Sequence, residues 1–296
     1  MEFTDFTELI RNEVEKRTGD GHSVQLVTVN KNNGVVLDGI TVLSQDCNVS
    51  PTIYLNEFYG AYQNGTATIG MITDDVMDIY GRNKLNGNID MNDFLNYEAI
   101  KHGIVYKLVN TEKNRALLED IPHVPFHDLS IVFEYPVTQG NMDNASILIR
   151  NTHMEYWNIG VEELYKTAAI NTPVLRKCDI KNMKDVLAEM TGMMDFGDSC
   201  SGFPMYVLSN KSRSHGAACI LYPNLLSDFS KASQSDLFII PSSIHETLIL
   251  TDSDPADARQ IKEMIREINE TVLFPEEVLS DNLYIFEQCT DELRML

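Results

Sequence analysis

No apolar run in this chain outlasts a β-strand; Leu237-Phe238-Ile239-Ile240-Pro241 is among the longest. After about residue 125 the runs come in pairs, split by turn residues and followed by an amphipathic stretch. Residues 129–135, a turn containing Gly140 and residues 145–150 read as a hairpin, with a helix over 161–170 behind it. Residues 205–209, a turn over 210–216 and residues 217–222 read as a second hairpin, and Pro223 opens a helix to about Lys231. Residues 237–240, the Pro241-Ser242-Ser243 turn and residues 247–250 read as a third, followed by a helix over 255–268; residues 283–286 read as a final strand. Hairpins pair antiparallel, and the helix after each must cover a sheet face. The expected fold class is therefore α+β: mainly antiparallel sheet built from hairpins, each followed by a helix packed on the sheet. Only Ala145-Ser146-Ile147-Leu148 and Ala218-Cys219-Ile220-Leu221 resemble each other, so the rhythm is architectural rather than a duplication.

The first part of the chain reads differently. Phe3, Phe6, Leu9, Ile10 and Val14 repeat at helical spacing, which predicts a helix over residues 4–17. Residues 23–30 alternate as a strand, Asn33-Gly34 supplies a turn that tolerates positive φ, and residues 35–43 return. A short strand over 51–55, helices over 57–63, 69–80 and 90–99, and an Asn/Gly loop over 83–88 follow. A strand over 104–109 and helices over 111–118 and 183–190 complete the reading. The expected organisation is a helix/hairpin/helical region over 1–110 and a strand-rich α+β region over 111–296, able to share one core because no Pro/Gly/Ser-rich linker divides them.

Charge narrows the function classes. With 23 Lys+Arg against 44 Asp+Glu, the 296 residues carry −21. Nucleic acid and anionic membrane both demand concentrated cations, so neither is an expected partner. The excess is uneven: residues 1–100 hold 6 basic and 15 acidic groups, residues 251–296 hold 4 and 12, and the middle is nearly balanced. A small anionic ligand on that middle region stays compatible with the composition. The N-terminus lacks the basic and apolar regions of a signal peptide, no stretch approaches membrane-spanning length, and five widely spaced cysteines contain no Cys-x-x-Cys. A cytoplasmic protein with reduced thiols is expected.

Several segments carry a family resemblance. Lys31-Asn32-Asn33-Gly34-Val35-Val36-Leu37-Asp38-Gly39, Ser50-Pro51-Thr52-Ile53-Tyr54-Leu55-Asn56, Gly216-Ala217-Ala218-Cys219-Ile220-Leu221-Tyr222-Pro223, Pro241-Ser242-Ser243-Ile244-His245-Glu246 and Val278-Leu279-Ser280-Asp281 together resemble an uncharacterised family of gut clostridia, domain-of-unknown-function family 5688. The resemblance covers nearly the whole chain. It implies a bacterial intracellular protein and no particular activity. A fainter similarity ties Ile159-Gly160-Val161-Glu162-Glu163-Leu164 and the Pro241 turn to another uncharacterised bacillary family, and bears on fold alone.

Candidate chemistry concentrates in a few places. The turn after Pro241 offers Ser243, His245 and Glu246: a hydroxyl, an imidazole and a carboxylate, the ingredients of acid–base or nucleophilic catalysis. Alternating strand residues face opposite ways, so His245 and Glu246 reach one spot only if the strand is irregular. No Gly-x-Ser-x-Gly and no second zinc-binding His accompany them, and a structural turn is the competing reading. Lys211 and Arg213, in the most basic short loop, are candidates for binding a phosphate or carboxylate, against a plain solvated turn. His123 and His127 could offer metal ligands, but the prolines at 122 and 125 forbid the aligning helix and an extended chain sets them roughly 13 Å apart. A turn into the next strand is expected there. The stretch 83–93 imitates a calcium loop but puts cations at two ligand positions. Asp195-Phe196-Gly197 lacks its kinase companions, Cys200 has no neighbour to lower its pKa, and no Gly-rich phosphate loop occurs. Trp157 reads as packed on the core at a helix start, alongside Tyr156. No metal or cofactor is expected. The expected function is a non-enzymatic binding or interaction protein for a protein or small-molecule partner. The alternative is a hydrolase-like or ligand-processing enzyme with His245 as base and Ser243 or Glu246 assisting. Neither the partner nor the oligomeric state can be read from the sequence.

Overall fold

The structure, a computed structural model, describes residues 1–44, 47–84, 93–137, 145–191, 204–251 and 258–296. It resolves into two compact units: Met1–Asp93 with Val137–Ala145, and Phe94–Pro136 with Ser146–Leu296.

In the first unit, helix α1 (Phe3–Thr18) precedes strands β1 (His22–Asn30), β2 (Val36–Ser44) and β3 (Thr52–Tyr54), then helices α2 (Asn56–Gln63) and α3 (Ile69–Asn83). The three strands form one antiparallel sheet in sequence order. Asn33 and Gly34 both adopt positive φ, 59° and 69°, the conformations for which those residues carry the smallest steric penalty. Phe6, Ile10 and Val14 of α1, at the spacing of one helical face, meet Val24, Ile40, Val42 and Ile53 of the sheet and Ile72 and Val76 of α3.

The second unit holds two sheets. One contains β4 (Val105–Asn110), β5 (His123–Phe126), β6 (Leu129–Pro136) and β7 (Ser146–Leu148), with β6 paired to the other three. The other is antiparallel in the order β13-β12-β10-β11-β9-β8, using β8 (Cys178–Asn182), β9 (Met205–Asn210), β10 (Leu237–Ile240), β11 (Thr247–Thr251), β12 (Tyr284–Glu287) and β13 (Glu292–Met295). The helices are α4 (Tyr97–Ile100), α5 (Arg115–Asp120), α6 (Asn151–Trp157), α7 (Val161–Leu175), α8 (Met183–Thr191), α9 (Leu225–Ser233) and α10 (Ala258–Thr271). Strand β10 is apolar throughout because both its faces are buried. Leu237 and Ile239 enter the main core with Leu108, Ile131, Phe133 and Leu164, while Phe238 and Ile240 pack with Ile261 and Ile265 of α10. The architecture is α+β with antiparallel sheets, as the hairpin rhythm predicts.

Individual elements depart from expectation. Residues 217–222 do not return as a strand; Gly216–Leu221 is a 3-10 helix, and the antiparallel partners of β9 are β8 and β11. A short apolar run fits either element, and Ala217, Ala218 and Cys219 are small enough to be buried in a tight helical coil. Strand β8 escaped the pattern because all five of its residues are only half-buried, and β13 because it is a largely exposed edge. Around residues 90–99 there is a 3-10 turn, Asp93–Leu95, then the single turn of α4. The helix expected from residue 111 starts at Arg115, because the Asn110 side chain accepts the Lys113 N–H and holds a turn first. His123 to Phe126 is a strand, and the turn falls on His127-Asp128, His127 taking φ 55°. Tyr156 is largely exposed, and Trp157 ends α6 rather than starting it, its Nε1 donating to the Phe94 carbonyl at 3.1 Å. The Gly140 turn, the Asn/Gly and calcium-like stretch from residue 85 to 92, Asp195-Phe196-Gly197, Cys200 and the expected start of the last helix lie outside the described residues. Among the described residues no helix is long and apolar enough to cross a membrane.

Candidate functional site

Strand β6 carries a carboxylate where its neighbours are apolar. Leu129, Ile131, Val132 and Phe133 are buried, and so is Glu134, with 1% of its side chain exposed. Sheet register explains what surrounds it. Val105 of β4 and Leu148 of β7 lie directly opposite Glu134, which puts Lys107 and Ser146 two residues away on the same sheet face. Those diagonal positions are within reach of long side chains. Lys107 Nζ meets Glu134 Oε2 at 2.7 Å, and Ser146 Oγ donates to the same oxygen at 3.0 Å. From the C-terminal end of α7, Arg176 Nη2 donates to Oε1 at 2.5 Å.

The second sheet supplies the other side. His215, in a left-handed conformation just before the 3-10 helix, places Nδ1 3.9 Å from Glu134 Oε1 and 3.3 Å from Ser214 Oγ. Its N–H donates to His245 Nδ1 at 3.4 Å, and the two imidazoles lie 5.8 Å apart. His245 Nε2 in turn faces Glu277 Oε1 at 3.5 Å. Gly216 permits this juxtaposition: it packs under Ser209, whose hydroxyl donates to the His245 carbonyl at 2.8 Å.

Burial and charge set the protonation states. Burial alone would raise the Glu134 pKa, but Lys107, His215 and Arg176 together more than offset it and hold the carboxyl well below the usual carboxylate range. Burial, reinforced by Lys107, pushes His215 down to about 3 despite the opposing pull of Glu134. At neutral pH the group therefore holds two cations, one carboxylate and a neutral imidazole. It is a buried excess of one positive charge in a chain carrying −21. Among the described residues one guanidinium donor, Arg176 Nη1, is shut off from solvent and has no hydrogen-bond partner.

The residues singled out in sequence fall around this group in different ways. His245 stands at its edge. Ser243 is buried and its oxygen accepts the His245 backbone N–H at 3.1 Å, so it closes the loop rather than meeting the imidazole. Glu246 turns away to Arg213, 3.8 Å off, with more than 40% of both side chains exposed. Lys211 is exposed in the same loop as Arg213. His123 Nδ1 lies 3.2 Å from the Ile121 carbonyl, while the His127 ring packs on Tyr284. Among the described residues no group of three or more His, Cys, Asp or Glu is arranged to hold a metal. Sequence reasoning missed Glu134, Lys107, Arg176 and Glu277. The available signal was the lone carboxylate inside the apolar run Leu129-Ser130-Ile131-Val132-Phe133-Glu134.

The sequence profile of a family described only as a family of unknown function, DUF5688, matches residues 3–288. The chain belongs to that family. No curated protein and no solved structure matches it significantly. For this DUF5688 chain the chemistry must accordingly be read from its own residues. Two groupings stand out in the second unit: the cluster on Glu134, and Asp128, which accepts from Ser280 Oγ at 2.7 Å, Asn282 Nδ2 at 2.9 Å and the Tyr284 hydroxyl. Asp128 ties the β5–β6 turn to the chain some 150 residues later and is fully engaged in doing so.

Proposed function

We propose that this chain is a non-enzymatic binding protein whose ligand site is the charged cluster on Glu134. The observation that carries the reading is the engagement of His245. Its Nδ1 accepts from the His215 backbone N–H at 3.4 Å and its Nε2 faces Glu277 at 3.5 Å, so its lone pair is directed at its own chain rather than at an open cleft, which supports a binding role over that of a base. A general base must stand within about 3 Å of the proton it removes, with a lone pair to receive it. Ser243 offers no nucleophile to it, because its oxygen is turned onto the backbone of its own loop. What the cluster does offer is fixed, partly desolvated positive charge, which serves recognition. The test is a panel of chromogenic carboxylic and phosphoric esters, read against His245→Ala, together with recovery of the tagged protein from its native host. No turnover, and a co-purified small molecule or protein, is the expected result. Turnover that disappears in His245→Ala would overturn it in favour of the hydrolase reading.

A further inference from the structure

We propose that Lys107 and Arg176, seated on Glu134 with His215 beside them, form the site for one small molecule bearing a carboxylate, bound as a monoanion. The inference rests on the reading of the chain as a binding protein and names the ligand class of the same site.

Three observations carry it. First, the buried charges, counted without the partly exposed rim of Glu277, Arg213 and Glu246, leave one positive charge over. Lys107 and Arg176 both lean on a single carboxylate, and their side chains are only 18% and 14% exposed, too buried for bulk water to neutralise them well. Second, the donors outnumber the acceptors. Arg176 uses Nη2 on Glu134 and leaves Nη1 buried with no partner among the described residues. An orphaned buried donor is costly, and a ligand oxygen would recover that cost. A guanidinium fork with one arm occupied still presents a charge-assisted donor in fixed geometry, and a carboxylate is the acceptor that geometry suits. Third, exposure rises outward, from Glu134 through Lys107, Arg176 and His215 to His245 and Glu277 and then to Arg213 and Glu246. The two rim contacts, His245–Glu277 at 3.5 Å and Arg213–Glu246 at 3.8 Å, are long and partly solvated. Such pairs are worth little, so opening the rim to admit a ligand is cheap.

The same count selects among anions. A monocarboxylate brings the cluster to neutrality. A phosphate group, mostly dianionic at neutral pH, overshoots by one unless an imidazole takes up a proton. The buried His215 resists that proton, and the carboxylates of Glu246 and Glu277 at the rim disfavour a second negative charge.

The experiment is a titration of the full-length protein, labelled with 15N-arginine, against sodium acetate and then inorganic phosphate, with ionic strength held constant by sodium chloride. Acetate is expected to shift the Arg176 side-chain resonance saturably, and phosphate to bind more weakly. Arg176→Lys, which keeps the charge and loses the fork, should weaken acetate by roughly tenfold. Arg213→Ala at the rim should change it less than about threefold. Should Arg176→Lys not fold, the wild-type titration still decides the matter. No saturable shift at Arg176, the same shift with chloride alone, or tighter binding of phosphate than acetate would each overturn the site. An uncharged co-purified ligand would sink the carboxylate site while leaving the binding reading intact. His245-dependent ester turnover would sink the binding reading whatever Arg176 does.

Discussion

Replacing Gly216 by Ala tests how the candidate site is held. A methyl group at Gly216 would sit 2.1 Å from Ser209 Oγ, 2.5 Å from the His245 carbonyl oxygen and 2.7 Å from the Asn210 amide nitrogen. Ordinary contact begins near 3.5 Å, so the two backbone atoms would have to retreat by about 1 Å. The Ser209 hydroxyl could rotate away, but only by giving up its hydrogen bond to the His245 carbonyl. The backbone atoms belong to the end of β9 and to the loop entering β11, paired strands of one sheet, so neither can move alone. Overpacking of this kind costs about 1–3 kcal/mol and the lost hydrogen bond about 1 kcal/mol more, for a total near 3 kcal/mol. For a unit of this size that lowers Tm by roughly 6–12 °C. Thermal melts followed by the fluorescence of Trp157, the chain's single tryptophan, report on the unit concerned. Gly81→Ala, in α3 with nothing within 4 Å of the added methyl, is the control and should instead stabilise the first unit by about 0.5–1 kcal/mol. If Gly216→Ala melts within about 2 °C of the wild type, the close approach is not what holds His215 and His245 together, and the reasoning fails.

Acidification should destabilise the second unit in two stages. His215 and Glu134 both have folded-state pKa values below their unfolded ones, so the stability each leaves intact above its unfolded value, about 6.5 and about 4.3, is lost as pH falls toward the folded one. Urea midpoints should therefore drop from pH 6.5 down to about 3 through His215, with Glu134 adding to the slope below about 4.3; His215→Asn, which tolerates the left-handed backbone, should flatten the upper stage, and an unchanged profile would refute the assignment. Asp128→Ala strips the acceptor from Ser280, Asn282 and Tyr284 at once and should cost about 3 kcal/mol, with amide exchange in β12 accelerated more than in β4; equal exchange in both strands would show that Asp128 does not pin the C-terminal segment.

What could be read from the sequence follows from how local each signal is. Asn33-Gly34 announced its turn because positive φ at two successive residues is a property of those residues alone. The β10–β11 hairpin was legible for the same reason, two apolar runs with a short polar break between them. Residues 216–221 were not, since a run of small apolar residues suits strand and 3-10 helix equally, and the choice is made by Gly216 packing under Ser209. At the Pro241 turn a hydroxyl, an imidazole and a carboxylate come close in sequence. Their side chains then diverge: the serine to its own loop, the glutamate to Arg213 and the histidine to the cluster.

The Glu134 cluster draws on positions 107, 134, 146, 176 and 215, with 245 and 277 at its rim, so no window of sequence contains it. Sheet register does the first half of the assembly, setting Lys107 and Ser146 diagonally beside Glu134, and the loops of the second sheet do the rest. This also changes what the −21 charge means. Exposed charges are screened beyond about 8–10 Å at ordinary ionic strength, so the acidic termini oppose a long polyanion that must lie across many of them at once. A buried pair of cations acts on one oxyanion at about 3 Å, where little screening intervenes. An acidic protein can thus exclude nucleic acid over most of its surface and still hold a single small carboxylate, provided that the cations receiving it are buried and share one counter-charge between them. That is the arrangement around Glu134.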